Sequence, residues 1–94
     1  MPETKATRTV VVTDPVGLHV RTALAIAETV RRGNSQVTLT KDQRSVPGTE
    51  VLQILTLVAR QGEAVMIEAC GQDSENILDL LEPLFAGRFG GEED

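Results

Sequence analysis

Aromatic residues and cysteine are scarce in this chain. Its 94 residues include two phenylalanines, one cysteine, and neither tyrosine nor tryptophan, so the core must be built mainly from aliphatic side chains. The single cysteine, Cys70, excludes an internal disulfide, and with only one histidine beside it the chain lacks the ligand set of a structural zinc site. We therefore interpret Cys70 as a small buried residue on a strand, and we expect neither a metal nor a cofactor.

Basic residues are in the minority. Fourteen acidic residues against nine basic ones give a net charge of −5, which repels phosphate backbones and removes the attraction that dominates nucleic-acid binding. No apolar run approaches the roughly 20 residues that cross a bilayer, and the first residues, MPETKATR, lack the apolar core of a signal peptide. We therefore expect a cytoplasmic protein without a nucleic-acid or membrane partner. The length fits one domain, residues 1–94, with a core over about 7–88 and a loose tail over 89–94.

Hydrophobic periodicity predicts the element order β-α-β-β-α-β-α. The strands are predicted over Thr7–Asp14, Ser35–Thr40, Arg44–Val46 and Glu63–Cys70, and the helices from Val20 to Arg32, from a cap at Thr49 to a stop at Gly62, and from a cap at Asp73 or Ser74 through Pro83. The predicted buried positions are Val51, Ile54, Leu55 and Val58 in the second helix, Val65, Ile67 and Ala69 in the last strand, and Ile77, Leu80, Leu81 and Leu84 in the third helix. One-sided helices and half-buried strands favour a two-layer α+β sandwich, an antiparallel four-stranded sheet with three helices on one face. The same order also fits a ferredoxin-like small-molecule sensor domain.

The only histidine, His19, precedes the first helix, in the stretch DPVGLHVRTALAIAETVRRG. The first amides of a helix have no intrahelical partner and attract anions, so the amides of Val20, Arg21 and Thr22 would face a phosphoryl group on the imidazole. The Arg21 guanidinium would bind the same group. From spacing alone, a helix-start histidine without chemistry is the alternative. A hydrolase is disfavoured because no motif places a serine or cysteine nucleophile near Thr13 and Asp14.

The stretch GLHVRTA, preceded by DP after a Thr/Val-rich strand and followed by a helix of small residues, resembles the phosphorylation-site signature of HPr. This is the histidine-containing phosphocarrier family of the bacterial phosphoenolpyruvate-dependent sugar phosphotransferase system (PTS). The resemblance covers about Thr7–Arg88 and implies the HPr-like open-faced sandwich. It implies that His19 takes a phosphoryl group from enzyme I as a pros-phosphohistidine, with Arg21 assisting, and passes it to an EIIA-type acceptor domain. The protein would be a monomeric carrier and not an enzyme. The alternative is an HPr-like regulatory module that binds a transcription factor or an enzyme and transfers little or no phosphate.

Three positions depart from the family pattern. Thr22 stands where the family usually has proline, which adds an amide donor and a hydroxyl at the helix start. Val16 replaces a commonly polar residue in the turn and so removes a possible partner of the imidazole. Glu50 occupies the position of the regulatory serine that HPr kinase phosphorylates in many Gram-positive bacteria, with Thr49 the rival by one residue. A carboxylate at Glu50 would exclude that regulation.

The second predicted helix has more apolar residues than one buried stripe uses. Exposed apolar residues usually mark a partner site, and in HPr the outward residues of this helix and of the early first helix engage enzyme I and the acceptor. The predicted docking residues are Val20, Leu24, Leu52 and Leu55. The alternative is that all of them belong to the core of a small domain.

Overall fold

The helices and strands follow one another in the predicted order. The computed structural model describes residues 4–89. The elements are β1 (Lys5–Val11), α1 (Val20–Arg32), β2 (Gln36–Lys41), β3 (Arg44–Pro47), α2 (Val51–Leu55), β4 (Ala64–Cys70), α3 (Ser74–Leu81) and a 3₁₀ helix (Glu82–Ala86). The strands form one antiparallel sheet in the order β1-β4-β2-β3. The helices pack on one face of this sheet, which confirms the predicted open-faced α+β sandwich.

The central strand, β4, decides which face of the sheet is covered. Val65, Ile67 and Ala69 are fully buried, while Met66 between them is exposed, as expected when alternate side chains point to opposite faces. In the neighbouring strands, Leu39 lies opposite Ile67 and is equally buried. The helices therefore cover the aliphatic face, and the other face is open to solvent. Cys70 ends β4 and is half-buried, not buried as the sequence predicted.

Helix α1 begins and ends as its sequence predicts. Its buried stripe of Thr22, Ala23, Ile26, Ala27 and Val30 faces the core. Two arginines complete the last turn, where positive charge complements the helix dipole. Within residues 4–89, no helix is long and apolar enough to cross a membrane.

Helix α2 is much shorter than predicted. It ends at Leu55 instead of near Gly62, because the amides of residues 56–58 bond to carbonyls three residues back and Val58 then adopts a φ of +50°. A positive φ is unusual for a β-branched residue and takes the chain off the helical path. Val58, predicted to be in the core, is 55% exposed, and Leu57 is buried in its place.

One predicted cap, one helix end and one predicted core position are also corrected. Glu50, not Thr49, is the N-cap of α2. Asp73, one of the two caps predicted for α3, is its N-cap, although its side chain makes no capping bond. This helix ends at Leu81, before Pro83. Leu80 is 54% exposed. Leu78 is buried in its place, so the buried stripe of α3 consists of Ser74, Ile77, Leu78 and Leu81.

Strand β1 leaves the sheet earlier than predicted. It ends at Val11, and the next amides bond outside the sheet: Val12 to the carbonyl of Glu63 (2.9 Å), and Thr13 and Asp14 to the carbonyl of Phe85 (3.0 and 3.2 Å). Residues 12–14 are thereby led from the sheet toward the amino end of α1.

Candidate functional site

A tight turn connects this segment to His19. The Asp14 carbonyl accepts a hydrogen bond from the Gly17 amide (2.9 Å), and Asp14 Oδ1 accepts one from the Val16 amide (2.9 Å). Gly17 has a φ of +84°, which a residue without Cβ adopts at little cost. The aspartate therefore organises the turn with both its backbone and its side chain.

The turn packs against Ala59 and Arg60, which follow α2 and are called the Ala59 wall. The Leu18 amide donates to the carbonyl of Ala59 (2.9 Å), and a Cβ on Gly17 would lie 2.9 Å from the same oxygen. In a continued α2 the Ala59 carbonyl would instead point along the helix axis, toward the amide of Glu63. The early end of α2 leaves the Ala59 carbonyl free of the helix and able to accept the Leu18 amide. The wall is itself tied, because the Arg60 amide donates to the Glu63 carboxylate (2.8 Å) and lowers the pKa of Glu63.

His19 is the N-cap of α1, and its carbonyl accepts the helix's first hydrogen bond, from Ala23 (2.9 Å). Its side chain makes no capping bond. Instead, imidazole Nε2 lies 3.2 Å from Asp14 Oδ2. The His19 side chain is 29% exposed and that of Asp14 is 10% exposed, so an almost buried carboxylate holds the imidazole at one nitrogen. The sequence predicted that Val16, which is exposed, leaves the imidazole without a possible partner. Asp14 is a partner of the imidazole instead, although the sequence analysis considered this residue only for a hydrolase.

The amino end of α1 has the expected helix-start geometry. The amides of Val20, Arg21 and Thr22 precede the first intrahelical bond, so they belong to the group of donors that attracts anions at a helix start. The Thr22 side chain, however, is 1% exposed, and its hydroxyl has no hydrogen-bond partner among residues 4–89. Only the backbone of Thr22 is therefore available at this helix start.

Phe89 lies over the same helix start. The Arg21 guanidinium carbon is 4.4 Å from the centroid of the Phe89 ring, a cation–π contact. The same ring meets the imidazole of His19 edge to face, with 6.2 Å between centroids. The predicted loose tail is therefore wrong at Phe89, which is half-buried and packs on the core. The rest of that tail, residues 90–94, lies outside the described residues.

Several large apolar side chains of α1, of α2 and of the segments next to them are exposed. Of the predicted docking residues, Val20 and Leu24 on α1 are exposed, and Leu52 on α2 is 78% exposed. Leu55 is half-buried against the core instead. The sequence analysis missed Val16 and Val58, two further exposed valines, because their exposure depends on the turn and on the early end of α2.

The two candidates for a regulatory position lie side by side at the start of α2. The Thr49 hydroxyl donates to the Glu50 carboxylate (3.4 Å), and the Thr49 carbonyl accepts from Arg31 (2.6 Å). Glu50 is exposed. Which of the two corresponds to the regulatory serine stays a prediction. Among residues 4–89 there is no group of three or more His, Cys, Asp or Glu residues that would hold a metal ion.

Comparison with known proteins identifies the family. A family model described as "PTS HPr component phosphorylation site" matches residues 6–87. The "Phosphocarrier protein HPr" of Xylella fastidiosa (strain Temecula1) is 30% identical over 78 residues, which are 83% of this chain and 88% of that protein. The "Phosphocarrier protein NPr" of Shewanella violacea is 27% identical over 86 residues, which are 92% and 94% of the two chains. The crystal structure of HPr-C-His from Thermoanaerobacter tengcongensis matches with a TM-score of 0.81 and 30% identity over 94% of this chain and 99% of that one. The chain therefore belongs to the HPr family of phosphocarrier proteins.

Proposed function

We propose that His19 accepts a phosphoryl group from phosphorylated enzyme I and passes it to an EIIA-type acceptor domain. The position of His19 carries the proposal: its imidazole stands at the start of α1, beside amides that precede the first intrahelical bond. A phosphoryl group on the ring brings about −1.5 to −2 charges. An exposed helix start stabilises each such charge by about 0.3–1 kcal/mol.

The transfer needs a nucleophilic ring nitrogen and a place for the charge. The lone pair of that nitrogen forms the new P–N bond, and the electron pair of the broken bond returns to the donor. Arg21 lies two residues after His19, and both contact the Phe89 ring, so guanidinium and imidazole share one small region. In this proposal the guanidinium binds phosphoryl oxygens in a bidentate manner. Handing the group on reverses the same steps, so the protein is a substrate of its partners and not an enzyme.

The exposed apolar side chains of α1 and α2 are the proposed docking surface. Val20 and Leu24 expose apolar area on the helix that begins after His19, and Leu52 exposes more on α2, which packs against that helix; such area on a small domain is typical of a partner site. Leu55 is half-buried and packs against the core, so it contributes less exposed area to this surface. Donor and acceptor must reach the same histidine in turn, so we propose that the protein acts as a monomer. The cytoplasmic location expected from the sequence stays a prediction.

Intact-mass analysis tests this function. The protein is incubated with phosphoenolpyruvate, Mg²⁺ and the enzyme I of the same organism, in parallel with a His19→Ala variant. We expect one acid-labile phosphoryl adduct on the unmodified protein and none on the variant. If the same enzyme I loads an HPr relative but not this protein, the carrier function is wrong. If His19→Ala still binds the partners of the unmodified protein in that case, the regulatory module replaces it.

A further inference from the structure

We propose that Asp14 is a positioning residue: it fixes the tautomer of His19 so that Nε2 carries the proton and Nδ1 has the lone pair that takes the phosphoryl group. This inference rests on the proposed function. Asp14 Oδ2 lies 3.2 Å from Nε2, and the carboxylate is 10% exposed. Among residues 4–89, this carboxylate is the hydrogen-bond partner of the His19 ring.

The carboxylate itself is fixed from several sides. Its Oδ1 accepts the Val16 amide at 2.9 Å. The Asp14 amide donates to the Phe85 carbonyl at 3.2 Å, and the Asp14 carbonyl accepts from the Gly17 amide at 2.9 Å. A Cβ at Gly87 would lie 2.9 Å from Oδ2, and Gly87 has a φ of +83°. A residue with a side chain at position 87 would thus collide with the oxygen that faces the imidazole.

The chemistry follows from what each group is able to donate. A carboxylate oxygen only accepts hydrogen bonds, so a neutral imidazole paired to Asp14 through Nε2 must donate its N–H there. The lone pair is then on Nδ1. When Nδ1 forms the P–N bond, the electron pair of the old bond leaves with the donor, and the Nε2 proton stays in place. The ring becomes cationic, and the negative charge of Asp14 stabilises it. Transfer to the acceptor restores the neutral ring.

An Asp14→Asn substitution separates this role from a merely structural one. The Val16 amide is a donor, so the side-chain oxygen of the asparagine must remain on it. The asparagine NH₂ then faces Nε2, which has to accept, and the proton of the neutral ring moves to Nδ1. The variant keeps the shape of the turn but presents the wrong tautomer, an effect known from Asp→Asn changes in catalytic triads.

The spectroscopic test is direct because His19 is the only histidine in the chain. An untagged protein labelled with ¹⁵N gives the ring nitrogen shifts at a pH of about 9, where imidazole is neutral. We expect the Nε2–H tautomer in the unmodified protein and a majority of Nδ1–H in Asp14→Asn. Asp42→Asn is the matched control, because Asp42 is exposed and has a φ of +57°, which asparagine tolerates. An unchanged tautomer in Asp14→Asn would overturn the inference.

The rate of phosphoryl uptake gives the second readout. We expect uptake from phosphorylated enzyme I to slow about 10- to 100-fold in Asp14→Asn, and to stay unchanged in Asp42→Asn, with equal circular dichroism spectra for both. Equal uptake by Asp14→Asn and the unmodified protein would refute the positioning role while the carrier function stands. If the unmodified protein is not loaded but the tautomer reverses as expected, the carrier function fails and the hydrogen-bond assignment stands.

Discussion

Replacing Gly17 by alanine is expected to displace the turn that carries His19. A side chain at the observed φ of +84° costs roughly 1–2 kcal/mol. The new Cβ would also lie 2.9 Å from the Ala59 carbonyl oxygen and 3.4 Å from Arg60 Cα, two backbone atoms that a rotamer change cannot move. The contact that must lengthen is the hydrogen bond from Leu18 to Ala59, worth about 1 kcal/mol. We therefore expect the free energy of unfolding to fall by about 2–3 kcal/mol.

Gly62→Ala is the matched control for this change. Gly62 has a φ of +92°, but a Cβ there would have no atom within 4 Å, so only the backbone strain of about 1–2 kcal/mol applies. Urea unfolding followed by far-ultraviolet circular dichroism measures both variants, since a chain without tryptophan and tyrosine gives no useful intrinsic fluorescence. Phosphoryl uptake should slow in Gly17→Ala and not in Gly62→Ala. Equal losses of stability and equal uptake rates in the two variants would refute the role of the Ala59 wall.

Three further changes test other parts of the account. Leu52→Lys should leave the free energy of unfolding within about 0.5 kcal/mol, because Leu52 is 78% exposed, but it should slow phosphoryl transfer to or from a partner. The control is Met66→Lys, because Met66 is exposed on the face of the sheet opposite the helices; equal slowing in the two variants would contradict the docking surface. Thr22→Val should raise the free energy of unfolding by up to about 1 kcal/mol, and the urea midpoint with it, because the buried hydroxyl has no hydrogen-bond partner within residues 4–89. A lower midpoint would show that the hydroxyl stabilises the fold. The hydroxyl of Ser35, together with a backbone amide, lowers the pKa of Asp73 below its ordinary 3.8. The hydrogen bond between Ser35 and Asp73 therefore stabilises the fold above about pH 4, and this stabilisation is lost as the pH falls further. Asp73→Asn should make the urea midpoint fall less steeply with decreasing pH; an equally steep fall would contradict a stabilising role of this hydrogen bond.

The first helix and the central strand could be predicted because their burial pattern is local. The stripe of α1 and the alternation of β4 follow from residues near in sequence. The early end of α2 could not, because it accompanies the hydrogen bond between Leu18 and Ala59, which are distant in sequence. The choice between Leu78 and Leu80 was equally undecidable, since both are leucines and only the rotation of α3 about its axis places one of them in the core.

The candidate site could be predicted in its centre but not in its surroundings. A single histidine before a helix, with an arginine nearby, made His19 and Arg21 candidates. The resemblance of GLHVRTA to the HPr signature then favoured a phosphorylation site over a helix-start histidine without chemistry. The contact of His19 with Asp14 was missed, because it needs the turn geometry that brings residues five apart together. Phe89 was missed because it follows a 3₁₀ helix that ends in the left-handed Gly87, and the path of the chain after that residue is set by packing.

A single-turnover relay experiment tests the central claim most directly. The protein is loaded with labelled phosphoryl from phosphoenolpyruvate and enzyme I, separated from both, and mixed with an EIIA-type acceptor. We predict that one label per molecule is bound before mixing, absent in His19→Ala, and that it moves to the acceptor. A protein that is never loaded, or a label that stays on the chain in the presence of every EIIA-type acceptor of the same organism, would contradict the carrier function.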